Sequence, residues 1–316
     1  RHKDADMRMP MRSRGQTVVL MADNRWDDRP CSTAVEGNTW PGHGPGRSNC
    51  SSLHAAARIN RVYAERQGYA FEAFEMNKTS CDGLKPSPCK LIAVHAVLAR
   101  PETEAIVFAD SDAIFRDHDL SVQAFLAENN VSRHAPLVVP TDCSPFLFNG
   151  GIHIWRNGAA ARALVAEWIA RSKTLRSAQH FPWEQRSLQV WYTMENSSLR
   201  RQVAILPWGK ERWHLGYCRT SKTPGKYRPA RWLSHITGGW PLDRFPVMRE
   251  TLLKLGLTHG QSCNCSRPFP RVLPPRIPNG AVGGVHGEKR RWLAAGWEGL
   301  GRAGEPDAAA LHTALL

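Results

Sequence analysis

The sequence predicts an α/β domain in which helices flank a mostly parallel sheet. Short apolar runs with strand character alternate with amphipathic segments of helical length, and that alternation is typical of parallel sheets. One of the apolar runs, at 106–109, leads directly into the acidic triplet Asp110-Ser111-Asp112. With 316 residues, of which 42% are apolar, the chain can fill the core of one large domain.

The elements follow from local patterns. TVVLM at 17–21 predicts a first buried strand, and a Ser start followed by helix formers and Gly68 predicts a helix at 51–67. The segment 146–155 is strand-like but broken by Gly150-Gly151. Further strands are predicted at 69–74, 104–109, 137–140, 203–206 and 232–235, and further helices at 88–100, 120–128, 159–174, 183–192 and 245–255.

Three parts of the chain differ in composition. Residues 1–14 form a polar, basic N-terminal segment, and 15–258 carry the strand and helix patterns of a single catalytic domain. Residues 259–316 are rich in Pro, Gly and Arg, so we expect a mostly irregular tail with a stray helix at 288–295.

The chain is basic, with a formal net charge of +14, which suits an anionic ligand. Charge alone does not choose among a nucleotide diphosphate, a nucleic acid and an acidic membrane. The sequence contains no run of 18 apolar residues. We therefore expect contact with a membrane only through an N-terminal anchor that is absent from this chain.

Cysteines and glycosylation sequons favour the secretory pathway. Cys81 and Cys89 flank a Pro-containing loop and form the most plausible local disulfide among eight cysteines. Sequons of the form N-x-S/T begin at Asn49, Asn77, Asn130, Asn196 and Asn264, more than ordinary Ser and Thr usage gives by chance. We expect a lumenal, Golgi-type protein that is type II membrane-anchored in its full length.

The acidic triplet is the strongest chemical feature. Parallel α/β sheets bind ligands at the carboxyl ends of their strands, where Asp110 and Asp112 are expected to lie. At spacing i, i+2 both carboxylates can point to one side and share a divalent ion. A strand-end Asp that caps the next turn, beside a solvated Asp, remains the alternative.

Five segments, in order, resemble the GT-A glycosyltransferase family that includes fungal Golgi α-mannosyl- and α-galactosyltransferases and plant xyloglucan xylosyltransferases. The resemblance spans about residues 60–245, although Gly150 stands where that family usually has Thr. The matching segments are NRVYAERQGY at 60–69, CKLI at 89–92 with the triplet after it, FNGGIHIWRN at 148–157, Glu184-Gln185, and HITGG at 235–239.

The resemblance implies a GT-A fold and transfer of a sugar from a UDP- or GDP-sugar to a glycan or glycoprotein, with retention of anomeric configuration. It implies no nucleic-acid partner. Mn²⁺ or another divalent cation is the expected cofactor, and Mn²⁺ is favoured because Asp110, Asp112 and His235 would form a mixed oxygen and nitrogen site. The other site residues are carried over from matching segments: Glu184 and Gln185 as catalytic, and Lys90, Asn149, Gly150, Gly151 and Gly238 as donor- or acceptor-binding.

Two alternatives remain at this point. The chain could be an inactive GT-A protein that only binds glycans or nucleotides. It could also be a phosphatase of the haloacid dehalogenase type, whose first Asp is a nucleophile. That class expects Thr two residues after the second Asp, where this chain has Ile114.

Overall fold

The computed structural model describes residues 15–23, 52–76, 81, 84, 86–141, 148–174, 183–206, 230, 232–236 and 241–257. The predicted N-terminal segment, the whole of the predicted C-terminal tail, and Gly238 lie outside this part of the chain. The domain boundaries therefore stay predictions. No helix among the described residues combines the length and the apolar character needed to cross a membrane.

Six strands form the main sheet: β1 (Gln16–Asp23), β2 (Ala70–Glu75), β3 (Thr103–Asp110), β5 (Leu137–Pro140), β6 (Ile152–Arg156) and β7 (Val203–Leu206). Their order across the sheet is β2-β1-β3-β6-β5-β7. The strands β1, β2 and β3 are parallel, β5 and β7 are parallel, and β6 runs antiparallel to both of its neighbours. The predicted α/β architecture with a mostly parallel sheet is confirmed.

A separate antiparallel ribbon pairs β4 (Ala113–Phe115) with β8 (Leu233–His235). The six α-helices are α1 (Ser52–Gln67), α2 (Pro86–Leu98), α3 (Val122–Glu128), α4 (Ala159–Thr174), α5 (Glu184–Thr193) and α6 (Pro241–Lys254), and a short 3₁₀ helix spans Ser198–Arg201. The strand β4 was not predicted, because three residues carry too little periodicity to reveal a strand.

Helix ends follow their local chemistry. Gly68 ends α1 with φ +69°, a left-handed conformation that glycine adopts without a steric penalty. The amide of Tyr69 donates to the carbonyl of Ala64 at 2.8 Å, which closes the last turn of this helix. At the N-terminal end of α3, Ser121 caps the helix by accepting a hydrogen bond from the backbone amide of Ala124 at 3.1 Å.

Alternate strand residues divide the core into two sides of the sheet. On β1 and β3, Val18, Leu20, Ile106 and Phe108 pack with apolar residues of α2, α4 and α5. Val19, Val107 and Ala109, which point to the other side of the sheet, pack with α1, α3 and the β4–β8 ribbon. Asp110 has the same parity as Ile106 and Phe108, so its side chain leaves the strand toward α2.

Asn60 ties α1 to β4, directly after the acidic triplet. This fully buried side chain donates from Nδ2 to the carbonyl of Ala113 at 2.9 Å, and its Oδ1 accepts from the amide of Phe115 at 3.0 Å. Buried backbone groups need such partners, because burying them unpaired costs free energy. Asn60 therefore fixes the strand on which the position of Asp112 depends.

Replacing Asn60 tests this link. Asn60→Leu keeps the approximate volume but leaves two buried backbone groups unpaired, so we expect the free energy of unfolding to fall by roughly 1–3 kcal/mol per group. Urea denaturation followed by circular dichroism measures the change. The control Glu65→Gln changes an exposed residue of the same helix and should stay within about 0.5 kcal/mol. Equal stability of both variants would contradict the role of Asn60.

Candidate active site at the carboxyl end of strand β3

Asp110, Asp112 and His235 meet at the end of β3. Each offers one ligand atom, and these atoms lie within 4.8 Å of one another. Nε2 of His235 lies 3.0 Å from Oδ1 of Asp112 and 3.9 Å from Oδ2 of Asp110. The structure therefore brings together three side chains for which the sequence predicted a metal site, although 123 residues separate His235 from Asp112.

The β4–β8 ribbon delivers His235 to the triplet. In this ribbon His235 pairs with Ala113, and the amide of Ile236 donates to the carbonyl of Asp112 at 2.9 Å. Trp232, just before β8, packs against the ring of Phe125 with centroids 4.0 Å apart and donates to the carbonyl of Leu120 at 3.1 Å. The ribbon is thus anchored in the core on the α3 side.

Lys90 lies beneath the first acid of the triplet. It is 3% exposed, and its Nζ donates to both carboxylate oxygens of Asp110, at 2.9 and 3.0 Å, and to the carbonyl of Gly150 at 2.9 Å. The same ammonium lies 3.0 Å from Oε1 of Glu184. A buried charge of this kind is stable only when opposite charges and hydrogen bonds compensate for its lost hydration.

The charges in this cluster shift one another's titration. Burial alone would lower the pKa of Lys90, but Asp110 and Glu184 raise it above the ordinary lysine value. Burial raises the pKa of Asp110 above its ordinary value, although Lys90 and His235 act in the opposite direction. Burial would lower the pKa of His235, but Asp112 and its hydrogen bond raise it. Burial and charged neighbours together therefore set the pKa of each of these groups.

Glu184 begins α5 and is buried, with 3% exposure. One carboxylate oxygen faces Lys90, and the other accepts a hydrogen bond from Oγ of Ser87. The residue before it, Trp183, has φ 47° and ψ −108°, a backbone conformation that non-glycine residues rarely adopt. Such strain persists only where the surrounding structure fixes it, and it clusters at functional sites.

Gln185 and the two glycines form the adjoining wall. The amide of Gly150 donates to Oε1 of Gln185 at 2.9 Å. A Cβ on Gly150 would lie 2.8 Å from Oε1 of Glu184, and a Cβ on Gly151 would lie 1.9 Å from Cε1 of His235. At 151 there is therefore no room for a Cβ unless the imidazole of His235 moves, and at 150 a Cβ would displace the carboxylate of Glu184.

Asn149 contacts His235, one of the three predicted metal ligands. It is 2% exposed, and its Oδ1 lies 2.8 Å from Nδ1 of His235. The predicted catalytic and sugar-binding roles of Glu184, Gln185, Asn149, Gly150, Gly151 and Lys90 stay predictions. What the structure shows is that these side chains and backbone groups adjoin the acidic triplet.

Sequence reasoning missed Ser87 and Asn60, which contact the site or its scaffold. For Lys90 a local signal existed: it is the one Lys, Arg, Asp or Glu in the otherwise apolar α2, whose described side chains are mostly buried. A helix that is apolar all round lies in the core, so its lysine must find a buried partner.

Comparison with known proteins agrees with this geometry. The sequence model of the galactosyl transferase GMA12/MNN10 family matches residues 46–142, which include α1, Lys90 and the acidic triplet. Ile114, where a dehalogenase-type phosphatase would carry Thr, is fully buried in β4. No curated protein sequence matches the chain.

One of the similar solved structures shares the fold at low sequence identity. A glycosyltransferase involved in the glycosylation of the major capsid of PBCV-1 has a TM-score of 0.51 at 12% identity, and the match covers 74% of this chain and 99% of that one. The galactosyltransferase LgtC, bound to donor and acceptor sugar analogs, has a TM-score of 0.39 at 12% identity, with 75% and 96% covered.

A mutant of Drosophila β1,4-galactosyltransferase 7, in complex with manganese, UDP-Gal and xylobiose, has a TM-score of 0.35 at 14% identity, with 71% of each chain covered. The resemblance drawn from the sequence is confirmed by the family match, and the expected fold is confirmed by the similarity to the PBCV-1 enzyme. The chain is therefore a glycosyltransferase of the GT-A fold whose residues 46–142 match the galactosyl transferase GMA12/MNN10 family.

Proposed function

We propose that the protein transfers a sugar from a UDP- or GDP-sugar to a hydroxyl group of a glycan or glycoprotein, and that it depends on a divalent metal ion. The observation that carries this proposal is the convergence of Asp110, Asp112 and His235 at the carboxyl end of β3. Ligands of open α/β sheets bind at this edge. The matched glycosyltransferase family supports the reaction class.

The donor atoms fit a divalent first-row transition-metal ion. Two carboxylates and one imidazole make a mixed site, which suits Mn²⁺ better than the all-oxygen surroundings that Mg²⁺ prefers. Lys90 does not block Asp110, because each carboxylate oxygen has two lone pairs and can accept a hydrogen bond while it binds an ion. A bound ion would neutralise the negative charge of the departing nucleotide diphosphate.

The remaining residues act on the sugar side. We place the anomeric centre near the wall formed by Glu184, Gln185 and the Asn149-Gly150-Gly151 turn, because these groups adjoin the triplet. An oxocarbenium-like transition state is stabilised by carboxylate or amide groups held beside it. Retention of configuration is part of this proposal and rests on the family resemblance.

The protein is proposed to work in the lumen of the Golgi or another secretory compartment. Cys81 and Cys89 form a disulfide, which agrees with the predicted pairing and suits an oxidising compartment. Two sequon asparagines, Asn130 and Asn196, are exposed. Type II anchoring through an N-terminal segment stays an expectation from the sequence.

Both exposed sequons lie at the end of the sheet opposite the acidic triplet. Arg156 of β6 pairs with Ala105 at the start of β3, and it donates to the carbonyl of Ser132 in the first sequon. The second sequon leads through the 3₁₀ helix into the start of β7, whose last residue, Leu206, pairs with Pro140 near Asn149. Glycans at these positions would leave the active site open.

A donor screen tests the reaction. Nucleotide release from UDP- and GDP-sugars should require Mn²⁺, disappear with a chelator, and fall about 100-fold or more in Asp112→Asn, which removes one ligand charge. Luminescent detection of UDP or GDP measures it. Glu65→Gln, far from the triplet on an exposed face of α1, is the control. No metal-stimulated release with any donor, combined with tight nucleotide binding, would favour the inactive binding protein instead.

Glu184→Gln tests the sugar-side wall. It removes a buried negative charge, so we expect kcat to fall by about two orders of magnitude while Mn²⁺ affinity changes little, because the lost interaction stabilises the transition state. Thermal denaturation must show a folded protein, since breaking a buried ion pair destabilises it. Ser87→Ala is the matched control: it removes one hydrogen bond to Glu184 but keeps the charge. Unchanged turnover in Glu184→Gln would reject the assignment.

N-glycosylation of the exposed sequons tests the proposed location in the secretory lumen. After expression of the chain through a eukaryotic secretory pathway, glycopeptide mass spectrometry should find N-glycans at Asn130 and Asn196. The matched variants Ser132→Ala and Ser198→Ala remove each sequon without changing its asparagine, which for Asn130 preserves a residue in a left-handed conformation with φ 53°. Nucleotide release should be equal in both variants. Bare asparagines at both positions would contradict the lumenal proposal.

A further inference from the structure

Asn149 is buried beside the imidazole of His235, so its side-chain oxygen faces a predicted metal ligand. We propose that Asn149 is a positioning residue that keeps a hydrogen on Nδ1 of His235 and so presents Nε2, beside Asp112, to the metal ion. This inference rests on the proposed function, because it concerns the metal site assigned above. The hydrogen bond to Asn149 orients the ring of His235 before an ion binds.

The identity of the contacting atoms decides the direction of each hydrogen bond. The amide of Gly151 lies 2.9 Å from Oδ1 of Asn149, and a backbone amide can only donate. The side-chain atom at this position must therefore be the oxygen and not the nitrogen of the amide group. The backbone thus fixes the orientation of Asn149, which the side chain alone would leave ambiguous.

The same oxygen lies 2.8 Å from Nδ1 of His235. A carbonyl oxygen only accepts, so Nδ1 must carry the hydrogen of this bond. In the metal-free protein Nε2 carries a hydrogen too, because it lies 3.0 Å from Oδ1 of Asp112 and a carboxylate oxygen only accepts. An ion that binds between the acids would replace this hydrogen and take the lone pair of Nε2, which also lies 3.9 Å from Asp110. The hydrogen bond that Nδ1 donates to Asn149 therefore directs Nε2 toward the two carboxylates.

The surroundings leave the ring little freedom to bring its other nitrogen to the acids. A Cβ on Gly151 would lie within 2.6 Å of three ring atoms of His235, so the imidazole packs against the bare backbone at this position. The backbone amide of Asn149 donates to the carbonyl of Pro140 at 2.9 Å, which ties the turn to the end of β5. Outer hydrogen-bond partners of this kind orient ligating histidines and raise metal affinity.

Mn²⁺ titration by electron paramagnetic resonance tests the proposal without an activity assay. Asn149→Leu removes the acceptor, and we expect Mn²⁺ affinity to fall about 10- to 100-fold, the usual effect of losing such a partner. Asn149→Asp keeps an oxygen between Gly151 and His235, so it should bind Mn²⁺ within a few-fold of the natural protein. Asn129→Leu makes the same substitution at the end of α3 and should not change the affinity.

The hydrogen on Nδ1 can be measured directly in metal-free protein. Nuclear magnetic resonance of ¹⁵N-histidine-labelled protein, with the His235 signals identified by their loss in His235→Gln, should show hydrogen on Nδ1. In Asn149→Leu, Nδ1 should lose its hydrogen, while Nε2 keeps the hydrogen that Asp112 accepts. An Nδ1 without hydrogen in the natural protein, or equal Mn²⁺ affinity in Asn149→Leu, would overturn the role of Asn149. Failure of the natural protein to bind Mn²⁺ would instead overturn the metal site.

Discussion

The buried ammonium group of Lys90 is the charge on which the acidic site depends. Asp110 and Glu184 both lie within hydrogen-bonding distance of it, and its positive charge compensates for the burial of two acidic side chains. Lys90 comes from α2, Asp110 from β3 and Glu184 from α5. One positive charge thus links the helix α2, the strand β3 and the start of the helix α5.

A second constraint acts from the opposite face of the sheet. The β4–β8 ribbon carries His235 to Asp112, and Asn60 of α1 holds β4 through two backbone hydrogen bonds. The site is therefore assembled from both layers of helices, with β3 between them. At Gly151 the imidazole of His235 fills the space that a Cβ would need, and at Gly150 the carboxylate end of Glu184 lies in that space.

Local patterns predicted much of the fold. The helix at 159–174 and the strands at 137–140 and 203–206 occur where apolar periodicity placed them. The direction of β6 was beyond such reasoning, because periodicity says which residues are buried but not which neighbour a strand pairs with. For the site, the triplet was evident from its position after a buried strand, whereas the contact between Asn149 and His235 joins residues 86 apart and has no local signal.

The sequence by itself determined the fold class, the acidic triplet at a strand end and the Cys81–Cys89 pairing, because each depends on residues close together in the chain. The tertiary structure alone decided that Lys90 is shared by Asp110 and Glu184 and that Asn149 faces an imidazole and not solvent. It also decided which atoms fill the space beside the glycines. Contacts between distant segments follow from how strands pair and helices pack, and hydrophobic periodicity records only burial.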